Sequence, residues 1–323
     1  MNLTIDWAHR DAIPLGIFCQ GRAGRVLVMS GLGDNVRVLH LVKPADHIIV
    51  FTVGDYGRET YEMMTRVLHT FELERAKVTV LCNEPAQVEW ARSVGLEAFF
   101  CNKNAFINEA VFRAAPMEKC FDAVSNARLV KLKRVHLARL VPNLALICGH
   151  RLEQTEYDDP GEIPHAYINE NRLAPRGVVR VLSASRVGLA LSAAEGACQA
   201  SSEYLLCGLP VVSTPSRGGR DIWYDDDNSI ISEPQPEAVR DAVLELVARR
   251  NRGGVDPERI RGRHIALAQE HRACFVRVLE RAFDDVRAAV DPRMHFESRF
   301  ESPGIAPRYT PYAEVVRQLG EAS

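Results

Sequence analysis

The sequence predicts an α/β protein of two parallel-sheet domains. Apolar runs short enough to be buried strands alternate with helical stretches from residue 47 to 100. A complete strand, loop, helix and strand unit lies within 186–213, and 323 residues suffice for two ordinary cores. Strands separated by helices pair in parallel, because the helix carries the chain back across the sheet.

Residues 1–45 hold three strand-like runs, IPLGIFCQ, GRVLVMS and VRVLHLV, with GLGDN (31–35) between the last two. GLGDN reads as a hairpin turn, since no periodic helix follows it; a cradle for a phosphate or an acceptor is the alternative. From residue 47, HIIVFTV is a strand, 58–71 a helix, VTVLCN a strand, 86–94 a helix ended by Gly95, and EAFFCN a third strand. This order is half of a doubly wound sheet. NAFINEAVFRAAP reads as a connector, so the first domain is assigned to residues 1–116, small for its class. Its histidines, His9, His40, His47 and His69, are read as packed or surface side chains rather than bases.

The second domain, 117–290, opens with a strand at 121–126, a basic loop and a helix expected at 133–141. Arg128 and Lys133, at a strand end, suit a diphosphate, because arginine makes a paired contact and lysine adds a point charge. A solvated loop is the alternative. NLALICGH is a strand ending at Gly149, 151–162 a polar connector, and HAYIN (165–169) follows. A helix starts at Pro175 and feeds the strand 186–191.

Next comes a loop with Glu195 and Gly196, a helix at 197–206 closed by Cys207-Gly208, and a strand at 209–213. Ligands of parallel sheets bind where strand carboxyl ends meet helix N-termini, and Glu195 and Gly196 fall there. Unpaired N–H groups beside Gly196, Ala197 and Cys198 suit an anion or a sugar hydroxyl. Glu195 in the loop and Glu203 on the helix can frame one ligand; a solvated helix face is the alternative. SRGGRDIW repeats the strand-then-glycine theme, with Gly218-Gly219 letting backbone approach a ligand and Asp221 capping a turn. NSIIS is a last short strand, 236–250 an amphipathic helix, 257–290 one or two more, and 291–323 a tail. Asp225, Asp226 and Asp227 read as a turn, not a metal site.

Glu195, seven residues, Glu203 and then CGLPVV (207–212) resemble the donor-binding motif of the retaining GT-B glycosyltransferases of group 1, glycosyltransferase family four. Arg128, four residues and Lys133 match that family's arginine and lysine after the first strand of its donor domain, and Gly218-Gly219 its glycine pair. Gly196-Ala197-Cys198 stands where the family has Gly-Phe-Gly. The likeness covers about 99–248. It implies two Rossmann-like domains whose parallel sheets face a central cleft, the N-terminal one reduced, with the tail 291–323 packing back on it. It also implies transfer of a sugar, with retention, from a nucleotide-diphosphate sugar to a sugar, lipid or glycan acceptor. In that scheme Glu203 holds the ribose hydroxyls, Arg128 and Lys133 the diphosphate, Glu195 and the Gly196 to Cys198 backbone the donor sugar, and the backbone at Ile168 the nucleobase. No metal and no cofactor beyond the donor are implied, and no catalytic base is assigned, since the family passes the acceptor's proton to the leaving phosphate.

The net charge of −2 and pI near 6.6 show no basic bias, so nucleic acid or an anionic membrane is not expected as partner. No apolar window reaches 18 residues, and the start MNLTIDWAHRD resembles no signal peptide. The eight cysteines lack a C-x-x-C pair and read as reduced thiols of a cytoplasmic protein, with a homo-oligomer left open. Two rivals remain: another enzyme on the same fold, such as a nucleotide-sugar epimerase or a phosphorylase, and a non-catalytic nucleotide-sugar-binding protein.

Overall fold

The computed structural model describes residues 12–54, 57–148, 163–301, 305 and 309–320. His9, Gly149 and the expected connector 151–162 lie outside these residues. Two compact units divide the chain: residues 1–106 with 270–323, and residues 107–269.

The first unit opens with β1 (Ala12–Ile13), β2 (Leu15–Gln20), β3 (Arg25–Ser30), β4 (His47–Phe51), α1 (Arg58–Thr70), β5 (Val78–Cys82), α2 (Pro85–Ser93) and β6 (Glu97–Phe100). Its main sheet has the order β2-β3-β4-β5-β6, antiparallel only between β2 and β3. GLGDN is therefore not a hairpin turn. β3 and β4 pair in parallel, Gly31 N donates to Phe51 O at 2.8 Å, and Gly33–Leu41 is a 3-10 stretch where a strand was expected. Only Asn35, Val38 and Leu39 of that stretch are buried, so its apolar residues close the sheet end as turns and do not join the ladder.

The second unit continues with β7 (Phe121–Asn126), β8 (Leu144–Ile147), β9 (Tyr167–Ile168), α3 (Pro175–Ser183), β10 (Ser185–Ala190), α4 (Gln199–Leu206), β11 (Val211–Ser213), β12 (Ser229–Ile231), α5 (Pro236–Asn251) and the start of α6 (Pro257–Val286). Its six-stranded sheet is parallel throughout, in the order β12-β11-β10-β7-β8-β9. From β7 the chain first builds outward through β8 and β9. It then returns to β10, on the other side of β7, and builds the opposite way. The strand order thus reverses between β7 and β10, the place where open parallel sheets bind ligands.

The helix expected at 133–141 is instead two short 3-10 turns, Lys131–Lys133 and Val135–Ala138, split by Arg134 in the left-handed region (φ 48°). The Arg134 side chain explains the break. Its Nε donates to Leu191 O at 2.7 Å and its Nη2 to Thr214 Oγ1 at 2.8 Å, so the loop is held to the ends of β10 and β11.

The units meet along the sequence at 106–107 and 269–270, where the sequence suggested 116 and 290. Residues after 106 are held in the second unit by Arg261, which donates to Glu109 O (2.7 Å) and Phe112 O (2.6 Å). The end of α6 brings Phe275 into the first unit against Phe18, Phe51 and Phe106, with ring centroids 5.1–6.0 Å apart. Residues 291–323 belong to the same unit through α7 (Pro292–Glu301), β13 (Thr310–Pro311) and α8 (Tyr312–Gly320), with β13 antiparallel to β1. Among the described residues, no helix is long and apolar enough to cross a membrane.

A buried polar knot of the first unit centres on Arg25, 1% exposed. Arg25 contacts Asp46 from Nε and Nη2, the latter at 2.6 Å, and donates to Leu319 O at 2.7 Å and Leu41 O at 3.1 Å. Asp46→Ala would strand a buried guanidinium, so a loss of about 3–5 kcal/mol is expected from thermal or urea unfolding. A loss below about 1 kcal/mol would mean that water satisfies Arg25 and that the knot does not organise the unit.

Candidate active site

An open cavity of about 440 Å³ lies at the β7/β10 switch point, entirely within the second unit. β7 supplies Ser125 and Asn126, β10 supplies Leu189 and Ala190, and the loops beyond them add Arg128, Lys133, Ser192 and Glu195. Cys198, Gln199, Ala200 and Glu203 enter from α4 and the residue before it, and Arg172 from the loop before α3. The sequence-predicted Arg128, Lys133, Glu195, Cys198 and Glu203 are thus brought together.

Glu195 and Glu203 occupy opposite environments. Lys133 Nζ forms an ion pair with Glu195 Oε1, which also accepts from Ser192 Oγ at 2.6 Å. Ser192 accepts in turn from Arg220 Nη1 at 3.1 Å, while Arg220 Nη2 donates to Thr214 O at 2.6 Å. Glu203, 6% exposed, has no cation on it among the described residues; Asn126 Nδ2 donates to one oxygen at 2.8 Å and Gln199 Nε2 to the other at 3.2 Å. Burial outweighs those two hydrogen bonds and raises the Glu203 carboxyl from 4.5 to about 7. Burial, followed by the charge of Glu195, pushes the Cys198 thiol up as well, so it is a packed thiol and not a nucleophile.

Two glycines make this geometry possible. A Cβ at Gly188 on β10 would stand 2.3 Å from the Tyr204 ring, so the missing side chain lets α4 lie against the sheet. Tyr204 OH then accepts from Asn126 N at 2.6 Å, which aligns Asn126 with Glu203. Gly218 has φ +99°, and a Cβ there would come within 1.5 Å of Glu195 O. Around it, Arg217 O accepts from Glu195 N and Gly196 O from Gly219 N, both at 2.9 Å.

Several expected roles shift in consequence. Gly218 and Gly219 do not line the cavity; they form the floor under the Glu195 loop. Gly196 and Ala197 are buried beside it. α4 begins at Gln199, after Cys198 in the left-handed region (φ 55°), so the expected helix start at 197 moves by two residues. Ile168 lies on the edge strand β9, paired with Leu146 and packed on the apolar core, because its alternate position on the strand faces inward. The sequence reading missed Asn126, Ser192, Gln199, Arg172 and Arg220. Only Gln199 had a readable signal, its four-residue spacing from Glu203 on one helix face.

The class this fold defines is GT-B. No protein-family model matches the sequence, and no curated protein matches it. Among solved structures the chain is similar to TarM, with a TM-score of 0.60 at 13% identity over 78% of this chain and 54% of TarM. It is also similar to HepE of Anabaena in complex with UDP, with a TM-score of 0.51 at 13% identity over 74% of this chain and 77% of that one. The N-terminal domain of the Candida albicans trehalose-6-phosphate phosphatase gives a TM-score of 0.57 at 9% identity, over 80% and 72%. The chain thus spans about half the length of TarM and about three quarters of HepE.

Two variants probe the site without a ligand. Gly218→Ala combines left-handed strain with a backbone clash and should cost about 2–4 kcal/mol in an unfolding titration; an unchanged midpoint would show that the Glu195 loop can move aside. Glu203→Gln tests the buried carboxyl. Its folded pKa is raised, so its favourable contribution is complete below the ordinary 4.5 and is lost as pH rises through about 7. The variant should therefore melt several degrees above wild type at pH 8 and close to it at pH 5. Equal differences at both pH values would contradict burial of the charge.

Proposed function

We propose that the chain is a retaining glycosyltransferase that takes its sugar from a nucleotide-diphosphate sugar. The observation that carries this reading is the convergence of Arg128, Lys133, Glu195 and Glu203 on one cavity at the switch point of a parallel sheet. The UDP complex of HepE, on the same fold, supports it.

Glu203, with Asn126 and Gln199 fixing its oxygens, is the acceptor pair for the two ribose hydroxyls. Arg128 is exposed at the cavity and Arg172 stands at its lining, so both guanidinium groups are available to a diphosphate. Lys133 joins them when an anion competes with Glu195 for its ammonium. Glu195, released in part from that pair, accepts from hydroxyls of the donor sugar. As the glycosidic bond breaks, charge grows on the β-phosphate, and the cations hold that charge more tightly than they hold the intact donor. The acceptor's proton passes to the leaving phosphate, so no separate base is required. The cations fill the role of a leaving-group metal, and the reading requires neither a metal nor another cofactor.

Melting wild type, Glu203→Ala and Arg128→Ala with UDP, GDP, ADP and CMP and their sugars tests the proposal. A ligand at a hundredfold over its Kd adds about 2.7 kcal/mol, a shift of a few degrees. One base should shift wild type, and Arg128→Ala should weaken it roughly tenfold or more, since a charged hydrogen bond contributes about 1.5–3 kcal/mol. Affinity should also rise from pH 6 to pH 8 in wild type and stay flat in Glu203→Gln, because the ionised carboxylate is the better acceptor for ribose. No shift with any nucleotide at millimolar concentration would overturn the donor site. Binding without any release of free sugar from the donor would overturn catalysis and leave a nucleotide-sugar-binding protein.

A further inference from the structure

Away from this cavity, in the first unit, a completely buried histidine joins the last turns of α6 to the sheet. His47, the first residue of β4, places Nδ1 2.9 Å from Asp285 Oδ2 and Nε2 3.1 Å from Thr79 Oγ1. Thr79 on β5 donates in turn at 3.0 Å to Oε2 of Glu97, its register partner on β6. The chain of Asp285, His47, Thr79 and Glu97 therefore begins and ends on a carboxylate. Each carboxylate already has a cation: Lys77, in the turn before β5, lies 3.4 Å from Asp285, and Arg281 of α6 pairs with Glu97. Asp46, next to His47 in sequence, is held by Arg25 of β3.

We infer that this chain of side chains is a proton-sensitive latch, which holds Arg281 and Asp285 of α6 to the sheet while His47 is neutral and loosens when His47 takes a proton. Burial acts to raise the Asp285 carboxyl, but the His47 hydrogen bond and Lys77 hold it below its usual range, so Asp285 is ionised and can only accept. Nδ1 of His47 therefore carries a hydrogen in both states. Thr79 has one hydroxyl hydrogen and two acceptors before it. With His47 neutral, the hydroxyl closes the bond to Nε2; with His47 protonated, Nε2 becomes a donor and the hydroxyl turns to Glu97. The latch is separate from the candidate active site, whose lining belongs to the second unit.

Charge balance sets the direction of the switch. Two carboxylates and two cations cancel, so a proton on His47 leaves one positive charge with no counterpart among the described residues, at a fully buried position. Burial lowers the His47 pKa from 6.5; the hydrogen bond to Asp285 opposes this, while Lys77 and Arg281 add to it. A lowered folded pKa gives a contribution that is complete above the ordinary 6.5 and is lost as pH falls through the folded value. The latch thus closes at neutral pH and opens in acid. It acts on the end of α6, where Ala23 N also donates to Val286 O at 2.9 Å.

The test labels the full chain with ¹⁵N-histidine and follows the ring nitrogens by long-range proton–nitrogen spectra from pH 8 to pH 5, with His47→Asn identifying the His47 signals by their loss. His47 should be neutral with its hydrogen on Nδ1 at pH 8 and should titrate below 6.5. Lys77→Met, which removes one of the two cations, should move that titration upward. Amide exchange read by mass spectrometry should show the protection of residues 278–286 falling roughly threefold or more from pH 7.5 to pH 5.5, after correction for intrinsic rates, while β3 keeps its own. His47→Asn, whose amide donates to Asp285 but takes no proton, should keep the protection of 278–286 to within about twofold over the same range. The wild-type exchange measurement needs no variant to fold. A neutral ring with its hydrogen on Nε2, titration above 6.5, or a loss of protection at 278–286 no larger than that of β3 would overturn the latch.

Discussion

A guanidinium with no water must find all its partners within the fold, and Arg220 is fully buried. Its partners are Ser192 after β10, Thr214 after β11 and its own neighbour Asp221, so one side chain ties together the carboxyl-end loops of two adjacent strands. Arg134 ties the loop after β7 to the same two strand ends, through Leu191 and Thr214. The loops after β7, β10 and β11 are therefore held together by two arginines, neither of which lines the cavity. Ser192 passes this constraint to Glu195, and Glu195 passes it to Lys133.

The two glutamates show how the fold divides labour between like side chains. Glu195 meets an ammonium at the rim. Glu203 meets two carboxamide N–H groups in a buried pocket and titrates near neutrality. A carboxylate already paired with a cation has an exchangeable partner, which an incoming anion can take. One that is buried and cation-free gains from any new donor, since each hydrogen bond offsets part of its desolvation. The first arrangement suits a group that must rearrange as charge develops, the second a group that recognises neutral hydroxyls.

Much of this was legible in the sequence, for stated reasons. The central strands of both sheets were read because parallel strands, buried on both faces, are continuous apolar runs, whereas the two-residue edge strand β9 was not read. Glu195, Glu203, Arg128 and Lys133, which line one cavity, could be singled out because their spacing is local and resembles a known motif. What could not be read is what depends on long-range pairing. VRVLHLV is as apolar as a strand, yet β3 pairs with β4 and leaves it outside the sheet. The expected helix at 133–141 has suitable residues, but Arg134 finds acceptors 57 and 80 positions away and its backbone turns left-handed. Arg220 and Ser192 carry no local signal at all, since a buried arginine and a surface arginine are the same letter.

That division also explains how 13% identity can accompany a shared fold. The topology asks only for apolar strands, crossover connections and a reversal of strand order, and many sequences meet those demands. The site asks for more, but mostly from backbone: close approach at Gly188, a left-handed turn at Gly218, and a tyrosine hydroxyl that fixes the end of β7. Two glycines and one tyrosine, none of which lines the cavity, decide where Asn126, Glu203 and Glu195 stand. In this chain the shape of the cavity is therefore set first by how closely α4 and the Gly218 turn approach their neighbours, and only then by the charged side chains that the approach presents.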